Sequence, residues 1–154
     1  MYSFYIDNDD TKVFMNKLFK EDSFDKFYIR TCDVKTFVTF NIDASLNKDW
    51  LEEETDKTYC KWADLKPYVV NMIKGSKKPS YFKIVMSLSE KATATLHPNG
   101  QACFLNILFE FDKVTIITGT AQREFSLDKS LDDTWDNKVK DFFKKLGITQ
   151  NIEE

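Results

Sequence analysis

Apolar residues recur at helical spacing in three stretches of the chain. Phe14, Met15, Leu18 and Phe19 share one face of a predicted helix over Thr11–Lys20, with Asp9 or Asp10 placed to cap it. Leu65, Tyr68, Val69, Met72 and Ile73 do the same over Trp62–Lys74, where Pro67 is tolerable in the first turn and Gly75 suits the end. The third stripe is the clearest: Leu131, Trp135, Val139, Phe142, Phe143 and Leu146, over residues 130–146. Ser130 with Asp133 approximates a capping box, Lys144 and Lys145 complement the helix dipole, and Gly147 supplies the stop.

Elsewhere the period is two, or the segment is short and rich in Val, Ile, Thr and Phe. Strands are predicted over Tyr2–Ile6, Phe27–Asp33, Lys35–Asp43, Tyr81–Leu88, Ala102–Phe111 and Val114–Thr120, with Arg123–Leu127 as an added edge. Ala102–Phe111 and Val114–Thr120 read as a hairpin. Its connection, Asp112-Lys113, is not a favoured hairpin turn, so a bulge or longer loop is expected. Ser89–Leu96 is ambiguous in pattern and compatible with one helical turn. Residues 47–57, with Glu52, Glu53 and Glu54, read as an exposed acidic loop or a ragged strand end. The pattern predicts a single α+β domain over residues 1–154, an antiparallel sheet with three helices.

Shifted by 54 residues, the chain matches itself in pattern: residues 11–34 lie over residues 65–88 without a gap, Lys12 on Lys66, Phe14 on Tyr68, Leu18 on Met72 and Lys20 on Lys74. Two pseudo-repeats, about 2–43 and 57–127, would each run strand, helix, then antiparallel strands. That order resembles a sliding-clamp domain, which implies two β-α-β-β-β units with helices on one side of paired antiparallel sheets. A second resemblance is closer in sequence. FDKFYI, TFVTFNID, IKGSKKPSYFKIV, CFLNILFE, TGTAQREFSLDKSLDDTWD and VKDFFKKLGI together resemble a family of short clostridial proteins of unknown function. It implies no activity and no catalytic residue.

Composition changes this picture little. A chain of 154 residues can bury a core without staples, and 14 phenylalanines against four glycines favour aromatic packing over loose linkers. The formal charge of -3 argues against avid nucleic-acid binding by the chain as a whole. Cys32, Cys60 and Cys103 form no CxxC pair, which fits buried thiols in a reducing compartment; the chain is read as cytoplasmic, with no leader and no membrane partner.

Candidate chemistry is sparse. His97, the single histidine, stands beside Pro98 in a predicted turn and reads as an ordinary surface histidine. No Walker loop, GxGxxG or HExxH occurs. Asp7, Asp9 and Asp10 lack the glycine and closing glutamate of a calcium loop. No cofactor is expected. Lys74-Gly75-Ser76-Lys77-Lys78 is the best local anion candidate, and Trp50, among charged neighbours, could mark a contact surface. The leading expectation is a non-enzymatic protein-interaction or scaffold module, with a protein partner or a second copy of itself. The alternative is a DNA-facing helix surface carrying Lys12, Lys17, Lys20, Lys66, Lys74, Lys77 and Lys78. An enzyme with an unrecognised site is the third reading.

Overall fold

The computed structural model of the chain describes residues 1–75 and 77–152. The order of elements is β1 (Ser3–Ile6), α1 (Asn8–Phe19), β2 (Tyr28–Lys35), β3 (Thr39–Asp43), α2 (Trp62–Ile73), β4 (Tyr81–Ser87), α3 (Glu90–Leu96), β5 (Gly100–Glu110), β6 (Lys113–Gln122), α4 (Ser130–Lys145) and β7 (Gln150–Asn151). The class is α+β, as the pattern predicts. The strands form one seven-stranded sheet in the order β3-β2-β4-β5-β6-β1-β7, with every neighbouring pair antiparallel. One continuous sheet therefore stands where the clamp resemblance implies paired sheets.

Alternation decides which face is covered. Phe82, Ile84 and Met86 of β4, Leu105, Ile107 and Phe109 of β5, and Val114 and Ile116 of β6 are buried. The residues between them, such as Val85, Asn106, Leu108 and Thr115, stay partly exposed. Side chains two apart share a face of a strand, so the helices roof one face and leave the other open. Beneath the roof, Phe14 of α1, Phe143 of α4 and Phe24 of the α1–β2 connection meet at ring separations of 5.8–6.3 Å, and Phe4 of β1 reaches Phe143 at 4.9 Å. Two buried indoles carry their N–H groups to backbone acceptors. Trp62 Nε1 donates to the Leu18 carbonyl (2.8 Å), joining α2 to the end of α1, and Trp135 Nε1 donates to the Phe104 carbonyl (2.9 Å), joining α4 to the sheet.

Several expectations need correction. There are four helices among the described residues, not three: Ser89 caps α3 by accepting from the Ala92 N–H. The predicted capping box of α4 does not form. Asp128 instead accepts both the Ser130 N–H and its hydroxyl, each at 2.9 Å. The β5–β6 hairpin closes through Phe111-Asp112, since Glu110 pairs with Lys113. Residues 123–127 are no strand, and the short β7 takes the place beside β1.

The 54-residue offset matches the ends of α1 and α2 alone; β2 and β4 depart from it, and the position 54 residues beyond β3 falls in α3. Asn8 and Trp62, like Phe19 and Ile73, mark the ends of α1 and α2 and stand 54 positions apart. Yet Phe14 and Leu18 are fully buried, whereas Tyr68, the counterpart of Phe14, is 66% exposed. The helix α2 is turned about its axis, so that Trp62 and Val69 face the core instead.

Candidate binding site

Strand direction gathers three separate connections at one end of the sheet. Lys35 at the end of β2 pairs with Tyr81 at the start of β4, Tyr81 with Glu110 at the end of β5, and Glu110 with Lys113 at the start of β6. The β2–β3 turn, the α2–β4 connection and the β5–β6 turn therefore lie side by side. Each carries an exposed group. Phe37 in the first turn is 90% exposed and Phe111 in the last is 91% exposed. Between them the α2–β4 connection presents Lys74, Lys77 and Lys78 to solvent.

Phe111 and Asp112 both take left-handed backbone angles, with φ of 53° and 59°. This is the two-residue hairpin turn that matches the twist of the strands, built without its usual Asn and Gly. Asp112 forms an exposed ion pair with Lys78 across the connection.

A cavity of about 610 Å³ opens beneath this connection. Met15 and Phe19 of α1, Ile73 of α2, and Phe82 and Phe109 of the sheet make its apolar walls, and Lys77, Lys78 and Asp112 stand at its rim. It exists because α1 and α2 join at Trp62 and Leu18, leaving the opposite end of α2 parted from the start of α1. A second cavity, of about 550 Å³, lies on the other side of the connection, against Phe37, Phe40 and Met72. It is lined by Thr36, whose buried hydroxyl has no hydrogen-bond partner among the described residues.

The predicted lysine surface divides on this geometry. Lys17 pairs with Glu21 at 3.2 Å, and Lys66 with Asp25 at 2.6 Å while also reaching the Glu21 carbonyl at 2.8 Å. Lys12 and Lys20 are exposed along α1. Lys74 lines one of the two cavities and Lys77 and Lys78 line both; Ser76 of the anion candidate Lys74–Lys78 lies outside the described residues.

Other candidates resolve into structural roles. His97, Ser130 and Asp128 do meet, an association the sequence does not announce. His97 Nε2 lies 2.8 Å from Ser130 Oγ, while its Nδ1 accepts the Asn99 N–H at 3.0 Å. An Nδ1 that accepts from the backbone places the ring proton on Nε2, so the neutral histidine donates to Ser130 and cannot take its proton. Asp128 sits on the serine, not on the histidine, and the two Ser130 bonds hold its carboxyl below the usual carboxylate range. This is the polarity of a helix cap, the reverse of a catalytic triad. Asp7 accepts from the Asn151 side chain and Asp10 from the Thr149 N–H, pinning the C-terminal strand. Among the described residues no group of three acidic, histidine or cysteine side chains is placed to hold a metal. Burial pushes the Cys32 thiol up to about 12 and Cys103 to about 11. Trp50 is 80% exposed beside the acidic loop.

The fold and this site together define an α+β domain with helices on one sheet face and an apolar, lysine-rimmed cavity at one end. The chain belongs to a family of unknown function, DUF5721, whose match covers residues 17–151. No curated protein matches it, and no solved structure does.

Proposed function

We propose that this chain is a non-enzymatic binding domain for a small amphiphilic anion, an apolar body with an acidic head. The carrying observation is the 610 Å³ cavity, whose walls are Met15, Phe19, Ile73, Phe82 and Phe109 and whose rim bears Lys77 and Lys78. Ligand cavities commonly fall between about 300 and 1,000 Å³, apolar in lining with a few polar groups that orient the ligand. Burying an alkyl chain against these walls supplies affinity, at roughly 0.8 kcal/mol for each methylene removed from water. A carboxylate or phosphate at the mouth meets Lys77, which makes no ion pair with another described residue, and competes with Asp112 for Lys78.

This reading departs from the expected protein-interaction or scaffold module by putting a small-molecule ligand in place of a protein partner. The DNA-facing alternative draws less from the geometry, because Lys17, Lys66 and Lys78 already serve carboxylates of the same chain.

Calorimetric titration with decanoate, and with decanol as its uncharged counterpart, tests the proposal. Decanoate should bind, and decanol more weakly by about tenfold, the value of one hydrogen bond to a charged group. Ile73→Trp should fill the cavity and abolish binding. Equal affinity for the two ligands, or undiminished binding by Ile73→Trp, would exclude this site.

A further inference from the structure

We infer that the end of the sheet bearing Phe37 and Phe111 docks onto an anionic bilayer surface. The inference shares the mouth of the cavity and Lys77 with the reading above but stands on Phe37 and Phe111, which that reading does not use. Phe37 and Phe111 are 90% and 91% exposed, each at the tip of its own hairpin. In the strand order the hairpin β3-β2 and the hairpin β5-β6 have only β4 between them. At one strand spacing per step, the two tips are about 14 Å apart, centre to centre. Each phenylalanine stands proud on a turn, Phe37 with only the edge-on ring of Phe40 beside it at 6.4 Å, and neither sits in a full ring of surrounding contacts. A protein hot spot needs such a ring to exclude water, whereas a soft lipid interface accepts an isolated aromatic tip.

The charge around the tips fits the same occupant. Lys74 and Lys77 make no ion pair among the described residues, and the connection that carries them runs between the two tips. Lys35 and Lys113 border it from β2 and β6, lying over the rings of Tyr81 and Tyr5 at 4.8 and 4.4 Å. Of the carboxylates at this end, Asp112 pairs with Lys78, Glu110 and Asp33 lie near Tyr81, and Asp7 lines a hollow with Phe111 and Lys113. Lys35, Lys74, Lys77, Lys78 and Lys113 stand against these four, a small local excess of positive charge in a chain whose net charge is -3. Lasting attachment to a membrane takes two signals, and apolar tips beside a lysine cluster supply both. Among the described residues no helix is long and apolar enough to cross a membrane, so the contact is peripheral. It would also bring the cavity mouth against the source of an amphiphilic anion.

Flotation of the full chain with vesicles decides the matter. Vesicles of phosphatidylglycerol and phosphatidylcholine should carry the protein up, and vesicles of phosphatidylcholine alone should not. Binding should fall as salt rises. The double variant Phe37→Ala/Phe111→Ala should fold normally and keep its affinity for decanoate in solution, yet lose vesicle binding at least tenfold. Lys74→Glu/Lys77→Glu should lose the preference for the anionic vesicles. Loss of decanoate binding in Ile73→Trp with vesicle binding kept would separate the two proposals. A wild-type chain that ignores anionic vesicles overturns this one. So does a double variant that floats as well as the wild type. A dimer in sedimentation velocity that the double variant abolishes would likewise overturn it, assigning the tips to a second copy of the chain.

Discussion

At the scale of single residues, what matters is where an ordinary side chain is held in an unusual state. Cys32 is the sharpest case, fully buried in β2 with its thiol pushed to about 12 by burial first and by Asp33 second. Cys103 is raised to about 11, and Cys60, half-buried, is raised as well. Only the thiolate alkylates, so iodoacetamide at pH 8 should leave Cys32 and Cys103 unmodified in the folded chain and label all three cysteines in denaturant. Mass spectrometry reads the difference. The linkage has a sign. Between the ordinary thiol value of 9.0 and about 12, the unfolded chain has released a proton that the folded chain retains. Stability is therefore whole below pH 9 and falls as pH rises through that window, which denaturant melts at stepped pH would show.

Phe111 and Asp112 are the second such case. A left-handed backbone costs a side-chain-bearing residue about 1–3 kcal/mol, and both turn residues adopt it. Replacing them by Phe111→Asn and Asp112→Gly removes most of that strain, at the loss of the Lys78 ion pair, which is exposed and contributes little. The double variant should be more stable by about 1–2 kcal/mol in urea melts, and Phe111→Asn alone, which leaves Asp112 and the local charge unchanged, should lose binding to anionic vesicles. A turn that is better for the fold and worse for docking would show that Phe111 is retained for its exposure. No gain in stability would mean that the turn carries no strain.

At the scale of elements, α4 closes the domain. Its stripe predicts burial, and Leu131, Trp135, Val139 and Phe143 are all buried against the sheet and the Phe14–Phe24 cluster. Phe142 and Leu146 lie at the border and are partly exposed. Its N-terminal half is also bonded to β6, where Asp136 accepts from Thr118 at 2.6 Å and Asp132 accepts from Thr120. Removing residues 130–154 would expose Phe4 and Phe14, leave the buried Thr118 hydroxyl without its carboxylate partner, and delete the edge strand β7. The truncated chain should be insoluble or show no cooperative melt by circular dichroism. A soluble, cooperatively folded fragment would mean that this stripe is an interface in disguise.

The elements also show where a one-dimensional pattern is ambiguous. Both α1 and α2 carry apolar stripes wide enough to permit more than one buried face. In α1 the stripe and the core agree on Phe14 and Leu18. In α2 the indole of Trp62 finds the Leu18 carbonyl, which turns Val69 inward and leaves Tyr68 outside. A tertiary hydrogen bond thus selects among faces that periodicity alone leaves equivalent.

At the scale of the whole molecule, the net charge of -3 describes no particular surface. Lysines that look alike in the chain are sorted by their neighbours. Lys17 and Lys66 neutralise the acidic α1–β2 connection, while Lys74 and Lys77 remain at the cavities. Function, on the reading argued above, follows from that sorting.

The α+β class, the antiparallel sheet, α1, α2 and α4, and the core positions Phe14, Leu18, Leu131, Trp135, Val139 and Phe143 are determined by the sequence itself, because hydrophobic periodicity is a local property, whereas Tyr68, placed in the core by the same periodicity, is exposed. The thiols as buried small hydrophobes were equally legible at Cys32 and Cys103. What only the tertiary structure decided is the order of the strands, the rotation of α2, the pairing of His97 with Ser130, and the meeting of Phe37, Phe111 and the lysine connection at one end. Each of these depends on contacts between residues far apart in the chain. Strand order in particular is set by which hydrophobic faces can be roofed together by the helices, and no local pattern records that choice.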